Sequence, residues 1–131
     1  MEGATFVRDD LVWDAATPIG SSVALRGSLC RSCGRVEFPA LAACPACDGE
    51  IDYVPLGPDA VLSGFTEVLH PPPGALVDVP YTLAVAAFAE NLSVLGLLDH
   101  HVPVAELEIG APLEVCVVAF GGGATYGYRL R

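Results

Sequence analysis

The sequence predicts a mainly β protein in which a small metal-binding module precedes a five-stranded barrel. Two C-x2-C pairs, Cys30 with Cys33 and Cys44 with Cys47, have ten residues between them and indicate one closed tetrahedral site with four thiolate ligands. Zinc is the metal expected at such a site, as one structural ion per chain that leaves no open position for substrate or water. From Ala60 onward, apolar and polar residues alternate in runs of strand length between turn residues.

Composition disfavours several classes of function. Sixteen acidic and six basic residues give a formal charge of -10, which would repel a polyanion, so nucleic acid is not expected as a partner. The longest apolar runs are far too short to span a bilayer, which favours a soluble protein without a membrane partner. The cysteine spacing and the lack of a signal peptide favour a reducing compartment, and we expect the cytoplasm. The hydrophobic fraction of 53% is high for a small chain and indicates that a partner covers part of its surface.

Residues 1–24 are expected to form an arm ahead of the metal-binding module. They mix charged residues with Trp13, Pro18 and Gly20 and show no sustained period, which favours a mobile or partner-docking segment. Trp13 either anchors this arm on a partner or packs on its own domain, and the sequence leaves both interpretations open. Residues 21–29 then alternate enough to predict a short strand that leads into the first cysteine pair.

The metal-binding module is predicted over residues 25–56. Gly34 relieves the tight turn after the first cysteine pair, and Pro45 stiffens the second one. Residues 35–39 are predicted to form a short hairpin strand, and residues 51–56 form the strand that leaves the module. The Pro-Leu-Gly-Pro cluster that ends this strand marks the boundary between the two modules.

Residues 57–131 are predicted to form the barrel. The predicted strands are, in order, 61–69, 81–89, 92–98, 113–120 and 125–130. Glu90 and Asn91 would form a tight hairpin turn, and residues 103–109 would form a helical turn or two before Gly110. Five strands with a short helix between the third and fourth is the order of an OB-type barrel, which buries its edges by partial closure.

The motifs as a set resemble those of a known family. C-x2-C-G followed by F-P, then C-P-x-C, a G-F-T strand, a P-Y-T-L-A-V-A strand and an I-G-A-P-L-E-V run are similar to the acyl-CoA-associated proteins that combine a rubredoxin-like zinc ribbon with an OB-fold. That family was long labelled a domain of unknown function. The chain departs from the family pattern where Pro39-Ala40-Leu41 replaces a Pro-Pro-Arg run in the ribbon.

The resemblance implies a function in an enzyme complex. Such proteins serve as the small subunit beside a thiolase-like enzyme, in acyl transfer, thiolytic cleavage or retro-aldol steps on coenzyme A thioesters. The catalytic residues would belong to the large subunit, while the barrel would help to bind or channel a shared acyl-CoA and would stabilise its partner. Because a thiolase core is normally at least dimeric, the resemblance implies a two-plus-two hetero-oligomer. Two other classes stay open: a free-standing binding module, for another acyl-CoA enzyme such as a hydratase or for single-stranded nucleic acid, and a self-sufficient small enzyme.

The sequence offers no set of catalytic residues. Cys116 lies within an apolar strand, where burial raises the pKa of a thiol, and we expect it to pack as a small hydrophobic residue. His70, His100 and His101 are expected to be solvated or packed in loops, with a place in a substrate channel as the alternative. Three carboxylates are expected to be surface charges: Asp59, Glu67 and Asp78. Five aromatic residues are expected to pack in the core, with a partner interface as the second interpretation: Tyr81, Phe88, Phe120, Tyr126 and Tyr128.

Overall fold

The computed structural model describes residues 9–71, 73–74, 77–89 and 91–131. Eight strands lie in these ranges and form a three-stranded sheet and a closed barrel. In chain order they are β1 (Leu25–Cys30), β2 (Val36–Glu37), β3 (Ile51–Leu56), β4 (Asp59–Val68), β5 (Tyr81–Phe88), β6 (Leu92–Leu98), β7 (Pro112–Phe120) and β8 (Gly123–Leu130). Two 3-10 turns, Asp9–Leu11 and Val104–Glu106, complete the regular structure of the described ranges. No described helix has the length and apolar character needed to cross a membrane.

The three-stranded sheet has the order β2-β1-β3, with both neighbours antiparallel to β1. The predicted strand 51–56 is confirmed as β3, which pairs along its whole length with β1 from Cys30↔Ile51 to Leu25↔Leu56. The hairpin strand expected over residues 35–39 is reduced to the two residues of β2, because the chain bends away after Glu37 toward the second cysteine pair. The cysteine pairs therefore lie at one end of the β1–β3 ladder.

The barrel has the order β4-β5-β6-β8-β7 and confirms the OB-type prediction. Neighbouring strands of the barrel are antiparallel except at the closure, where β6 runs parallel to β8 at Leu97↔Gly127 and Leu98↔Tyr128. The close approach at this closure depends on Gly127, because an added Cβ there would lie 2.5 Å from the Leu97 carbonyl oxygen. The β5–β6 hairpin is also confirmed, with Asn91 at φ 60, although Glu90 lies outside the described residues.

The helical turn or two expected over residues 103–109 is a single 3-10 turn. Only the 3-10 turn Val104–Glu106 forms, held by the Glu106 and Leu107 amides, which donate to the Pro103 and Val104 carbonyls. Leu107 is already extended at φ -105 and ψ 140, and its side chain is buried in the core. The helical turn therefore ends where Leu107 enters the core.

A single hydrophobic core joins the sheet to the barrel. Leu25 and Leu56, at the ends of β1 and β3 away from the cysteines, are fully buried. They belong to the same cluster of buried residues as barrel side chains from several strands, among them Leu62, Ala84, Leu113, Val115 and Tyr128. Burying each large apolar side chain contributes about 1.5–3 kcal/mol, so this shared core fixes the sheet against the barrel.

The described part of the N-terminal segment is attached to the same core. Val12 and Val23 are buried, and Val12 forms a β-bridge with Leu25. The chain around Ser22 then runs antiparallel to the part of β7 that β4 leaves unpaired, with the Val23 amide donating to the Val115 carbonyl at 3.1 Å. Trp13 is 50% exposed and is not a core residue. Residues 1–8 lie outside the described ranges.

The barrel closure leads to a stability prediction. We expect Gly127→Ala to lower the free energy of unfolding by about 2 kcal/mol, because the added methyl group would overpack the β6–β8 contact. Gly64→Ala is the matched control in β4, since an added Cβ there meets Val85 at an ordinary 3.6 Å. Urea unfolding followed by circular dichroism measures both changes, and equal losses for the two variants would contradict this account of the closure.

Candidate metal centre

The four predicted cysteines come together beyond the end of the β1–β3 ladder. Cys30 ends β1, Cys33 lies in the turn that follows, and Cys44 with Cys47 forms the second pair before β3. Their four Sγ atoms all lie within 4.8 Å of one another. Two separations join the pairs, at 3.5 Å between Cys30 and Cys47 and 3.6 Å between Cys33 and Cys44.

This arrangement fits a tetrahedral zinc ion. Sulfur ligands at 2.3 Å from zinc lie about 3.8 Å from each other at the corners of a tetrahedron, close to the two short separations. Cys30 and Cys44 are buried while Cys33 and Cys47 are exposed, so the cluster is open to water on one side only. Four cysteines this close together in a ribbon of this kind support a structural zinc site.

The two cysteine pairs are built as matching turns. The Gly34 amide donates to the Cys30 carbonyl at 3.0 Å, and the Asp48 amide donates to the Cys44 carbonyl at 2.9 Å. Both donors have positive φ, 78° at Gly34 and 58° at Asp48. Sequence reasoning found Gly34 but missed Asp48, although aspartate directly after the second pair is one of the few side chains that tolerate this conformation.

Gly49 makes room for the cluster. A Cβ at this position would lie 2.8 Å from the Cys30 sulfur and 3.0 Å from the Ser32 hydroxyl oxygen, so no other residue fits without displacing a ligand. In the sequence, Gly49 could be noted because it follows the second cysteine pair. Its close approach to Cys30, which belongs to the first pair, is visible only in the fold. This close approach of backbone to sulfur is what a closed metal site requires.

Backbone amides also favour a thiolate at the cluster. The Cys33 amide donates to the Cys30 sulfur at 3.4 Å and lowers the pKa of the Cys30 thiol to about 6. At Cys47 the Gly49 amide acts to lower the pKa, but hydrogen bonds with the Cys30 and Cys33 thiols outweigh it and raise the pKa to about 12. The pKa values of Cys30 and Cys47 shift in opposite directions because their sulfur atoms share protons through hydrogen bonds. A metal cation bound between the sulfur atoms would replace those protons.

Ion pairs outside the cluster tie the first cysteine pair to β3. Arg31 lies between the first two ligands, and its guanidinium donates to Asp52 at 2.7 Å and 2.9 Å and to Glu50 at 2.8 Å. The hydrogen bond from Arg31 lowers the pKa of the Asp52 carboxyl. Because all three side chains are largely exposed, the pairs orient the turn more than they stabilise the fold.

The remaining candidate residues lie elsewhere. Cys116 is fully buried in β7, and its burial raises the pKa of the thiol to about 11, which suits packing and not nucleophilic attack. His100 Nδ1 lies 2.7 Å from Asp99, and His101 Nε2 lies 2.5 Å from Glu67. Glu67, which was expected to be a surface charge, is therefore paired with a histidine 34 residues later in the chain. His70 is exposed in the loop that precedes β5.

Comparison with known proteins identifies both modules. A family model described as the ChsH2 rubredoxin-like zinc ribbon domain matches residues 24–52, and one described as the ChsH2 C-terminal OB-fold domain matches residues 53–118. The benzoylsuccinyl-CoA thiolase subunit BbsA of Thauera aromatica is 32% identical over 96 residues, which cover 72% of this chain and 64% of BbsA. A DUF35 domain-containing scaffold protein of Methanocaldococcus jannaschii is 25% identical and is matched over 95% of this chain and 93% of its own length.

Solved structures share the fold. A chain of the Ltp2-ChsH2(DUF35) aldolase superposes with a TM-score of 0.67 at 21% identity, covering 82% of this chain and 84% of that one. A DUF35 family protein from Sulfolobus solfataricus gives a TM-score of 0.53 at 21% identity, covering 81% and 75% of the two chains. At this identity, the likeness concerns the fold alone.

The cysteine cluster leads to a metal prediction. We expect Cys47→Ser to lose the zinc and unfold the ribbon, because zinc ligation supplies roughly 10 kcal/mol or more of folding free energy in such sites. Cys116→Ala is the control, since it removes a cysteine outside the cluster and should retain one zinc per chain. Metal analysis by mass spectrometry and circular dichroism provide the two readouts, and a full zinc equivalent in Cys47→Ser would contradict the ligand assignment.

The turn at Asp48 can be tested separately. We expect Asp48→Val to weaken zinc affinity about tenfold, because a β-branched residue at positive φ costs about 1–2 kcal/mol. Asp48→Gly should leave the affinity unchanged or raise it, since glycine adopts this conformation freely. Competition with a zinc chelator measures both affinities. Equal affinities for the valine and glycine variants would exclude a role for the backbone conformation.

Proposed function

The chain belongs to the ChsH2 family of proteins with a rubredoxin-like zinc ribbon and an OB-fold domain, and from this membership we propose that it is a non-catalytic accessory subunit of a thiolase-like enzyme. The observation that carries the proposal is the 32% identity with a protein named as a thiolase subunit. The match covers only 64% of that subunit, so the activity and partners of the relative are proposals for this chain.

The chemistry of the described residues supports an accessory role. A nucleophile needs an activating base within hydrogen-bond distance and donors for the developing oxyanion. Cys116 is buried with a raised pKa, and the other four cysteines form the closed cluster. His100 and His101 are each paired with a carboxylate at the end of the barrel. In this proposal the active site is completed by the large subunit.

The zinc has a structural role in this proposal. Cys30, Cys33, Cys44 and Cys47 bind one zinc ion per chain, and all four coordination positions are taken by sulfur, so the ion does not contact substrate. Its function is to hold the two turns at the end of the ribbon, and through β1 and β3 the ribbon is fixed to the barrel core. The ribbon thus presents a rigid surface beside the barrel.

The complex acts on an acyl-CoA thioester, by acyl transfer, thiolytic cleavage or retro-aldol cleavage of a carbon–carbon bond. The small subunit stabilises the large one and contributes part of the surface that binds or channels the acyl-CoA. Two copies of each subunit assemble, and the complex works in the cytoplasm. The barrel brings no basic stripe for nucleic acid, because the two arginines of the barrel described in the structure are each bonded to a carboxylate.

Co-expression provides the test. We expect the chain to co-purify with a thiolase-like protein from the same operon, as a complex whose mass corresponds to two copies of each subunit. Turnover of an acyl-CoA substrate should be absent from the small subunit alone, low or absent in the large subunit alone, and present in the complex. Light scattering after size exclusion and chromatographic separation of the acyl-CoA substrate from its products are the two measurements.

A matched variant separates the accessory role from catalysis by this chain. Cys116→Ala should leave the activity of the complex within about twofold, because a buried thiol with a raised pKa takes no part in the reaction. Activity of the purified chain alone that disappears in Cys116→Ala would identify a self-sufficient enzyme instead. A monomer that leaves the activity of the large protein unchanged would refute the accessory role and favour a free-standing module.

A further inference from the structure

An apolar strip crosses the outside of the molecule from the ribbon to the loop that precedes β5. We define it by six partly exposed or exposed residues: Phe38, Tyr126, Leu95, Leu97, Tyr81 and Val77. A shallow groove of about 400 Å³ lies at the ribbon end and includes Phe38, Leu95 and Tyr126. A second groove of about 410 Å³ continues from Leu95 and Tyr126 to Tyr81 and Val77. The two grooves share a wall and form one continuous surface across both modules.

The strip has a fixed shape. The ring of Phe38, from the ribbon, packs edge-on against Tyr126 of β8, with centroids 5.5 Å apart and planes at 87°. The Tyr126 hydroxyl donates to the Leu95 carbonyl of β6 at 2.6 Å. Both tyrosine rings of β8 press on Gly96, where an added Cβ would lie 2.6 Å from Tyr128. These contacts join ribbon, β6 and β8 and hold the grooves open before anything binds.

Leu95 makes the strip suited to a protein and not to a small ligand. Its side chain is 54% exposed and stands between the two grooves, lining both of them. A small-molecule site encloses most of its ligand in a concave pocket. An apolar ridge flanked by shallow grooves instead matches the surface of another protein, where such a residue enters a complementary pocket in the apolar centre of the interface.

The charge around the strip indicates the chemistry of the partner. Its far end continues into a smaller cleft that shares Val77, Tyr81 and Leu97. Two carboxylates line this cleft: Asp78, which is exposed, and Asp99, which is paired with His100. All six basic residues of the sequence are arginines, and none of those that the structure describes lines the strip. Two copies of a chain with a charge of -10 repel each other, so charge complementarity favours a different, basic surface.

We propose that the apolar strip is the surface on which the large thiolase-like subunit docks. The partner places apolar side chains around Leu95 and Tyr126 and basic side chains opposite Asp78. The ribbon contributes Phe38 to the same surface, so the partner contacts both modules at once. This inference rests on the proposed function, and it adds the site of docking and the chemistry of the opposite surface.

Two matched substitutions test the apolar part. Leu95→Asp should weaken binding to the thiolase-like protein at least tenfold, because it puts a charge into the centre of an apolar interface. Ile109→Asp is the control, since Ile109 is 63% exposed and lies outside the strip. Titration calorimetry gives the dissociation constants, and thermal unfolding of each free variant checks that both still fold.

A second pair tests the acidic end. Asp78→Lys should slow association with the partner and flatten its dependence on salt, because it reverses the charge that steers the encounter. Glu108→Lys makes the same reversal at an exposed position away from the strip and should change both quantities less. Stopped-flow association at low and moderate salt measures the difference. Equal effects of the two reversals would overturn the assignment of a basic surface opposite Asp78.

The outcomes separate the two proposals. If the unmodified chain does not bind the thiolase-like protein, the proposed function fails and the docking site fails with it. If the unmodified chain binds and Leu95→Asp binds equally well, only the docking site is overturned. If the free chain sediments as a dimer and Leu95→Asp converts it to a monomer, the strip is the contact between two copies of this chain. If the free chain binds octanoyl-CoA, and Leu95→Asp abolishes this binding but leaves the affinity for the thiolase-like protein unchanged, the strip is a ligand-binding site instead.

Discussion

The β1–β3 ladder is the constraint on which the rest of the structure depends. The same two strands end in the zinc ligands at Cys30 and in the shared core at Leu25 and Leu56. A ladder of six residue pairs spans roughly 17–20 Å, so the metal cluster and the barrel core are the two ends of one rigid element. A ribbon of this size has little core of its own, and it is held at one end by metal ligation and at the other by apolar burial.

This arrangement explains why the two modules present a common surface. Phe38 follows β2 and reaches Tyr126 of β8 because the ribbon cannot rotate about its connection to the barrel. The segment around Ser22 adds a further restraint where it pairs with β7. An accessory subunit that contacts its partner through both modules gains from such rigidity, because little conformational freedom is lost on binding.

Much of the fold could be predicted from the sequence, for reasons that are local. Cysteine spacing predicted that the four cysteines come together because each C-x2-C pair is a single turn, and alternation identified the barrel strands because side chains on a strand point to alternate faces. Contacts between distant residues could not be predicted in this way. The pairing of His101 with Glu67, the parallel closure at Gly127 and the contact of Gly49 with Cys30 each depend on the assembled barrel or ribbon. Asp48 was missed for a different reason, since aspartate adopts positive φ only in some contexts.

The use of arginine alone for positive charge has a chemical consequence. The described arginines are bonded to carboxylates or, at Arg26, stacked on Tyr53 at 4.1 Å, and the sequence contains no lysine. Guanidinium groups stay protonated and are poor nucleophiles, whereas lysine amines are the usual targets of acylation. The chain therefore offers an activated acyl group no lysine side-chain amine to modify, and its arginine ion pairs are inert toward such an electrophile.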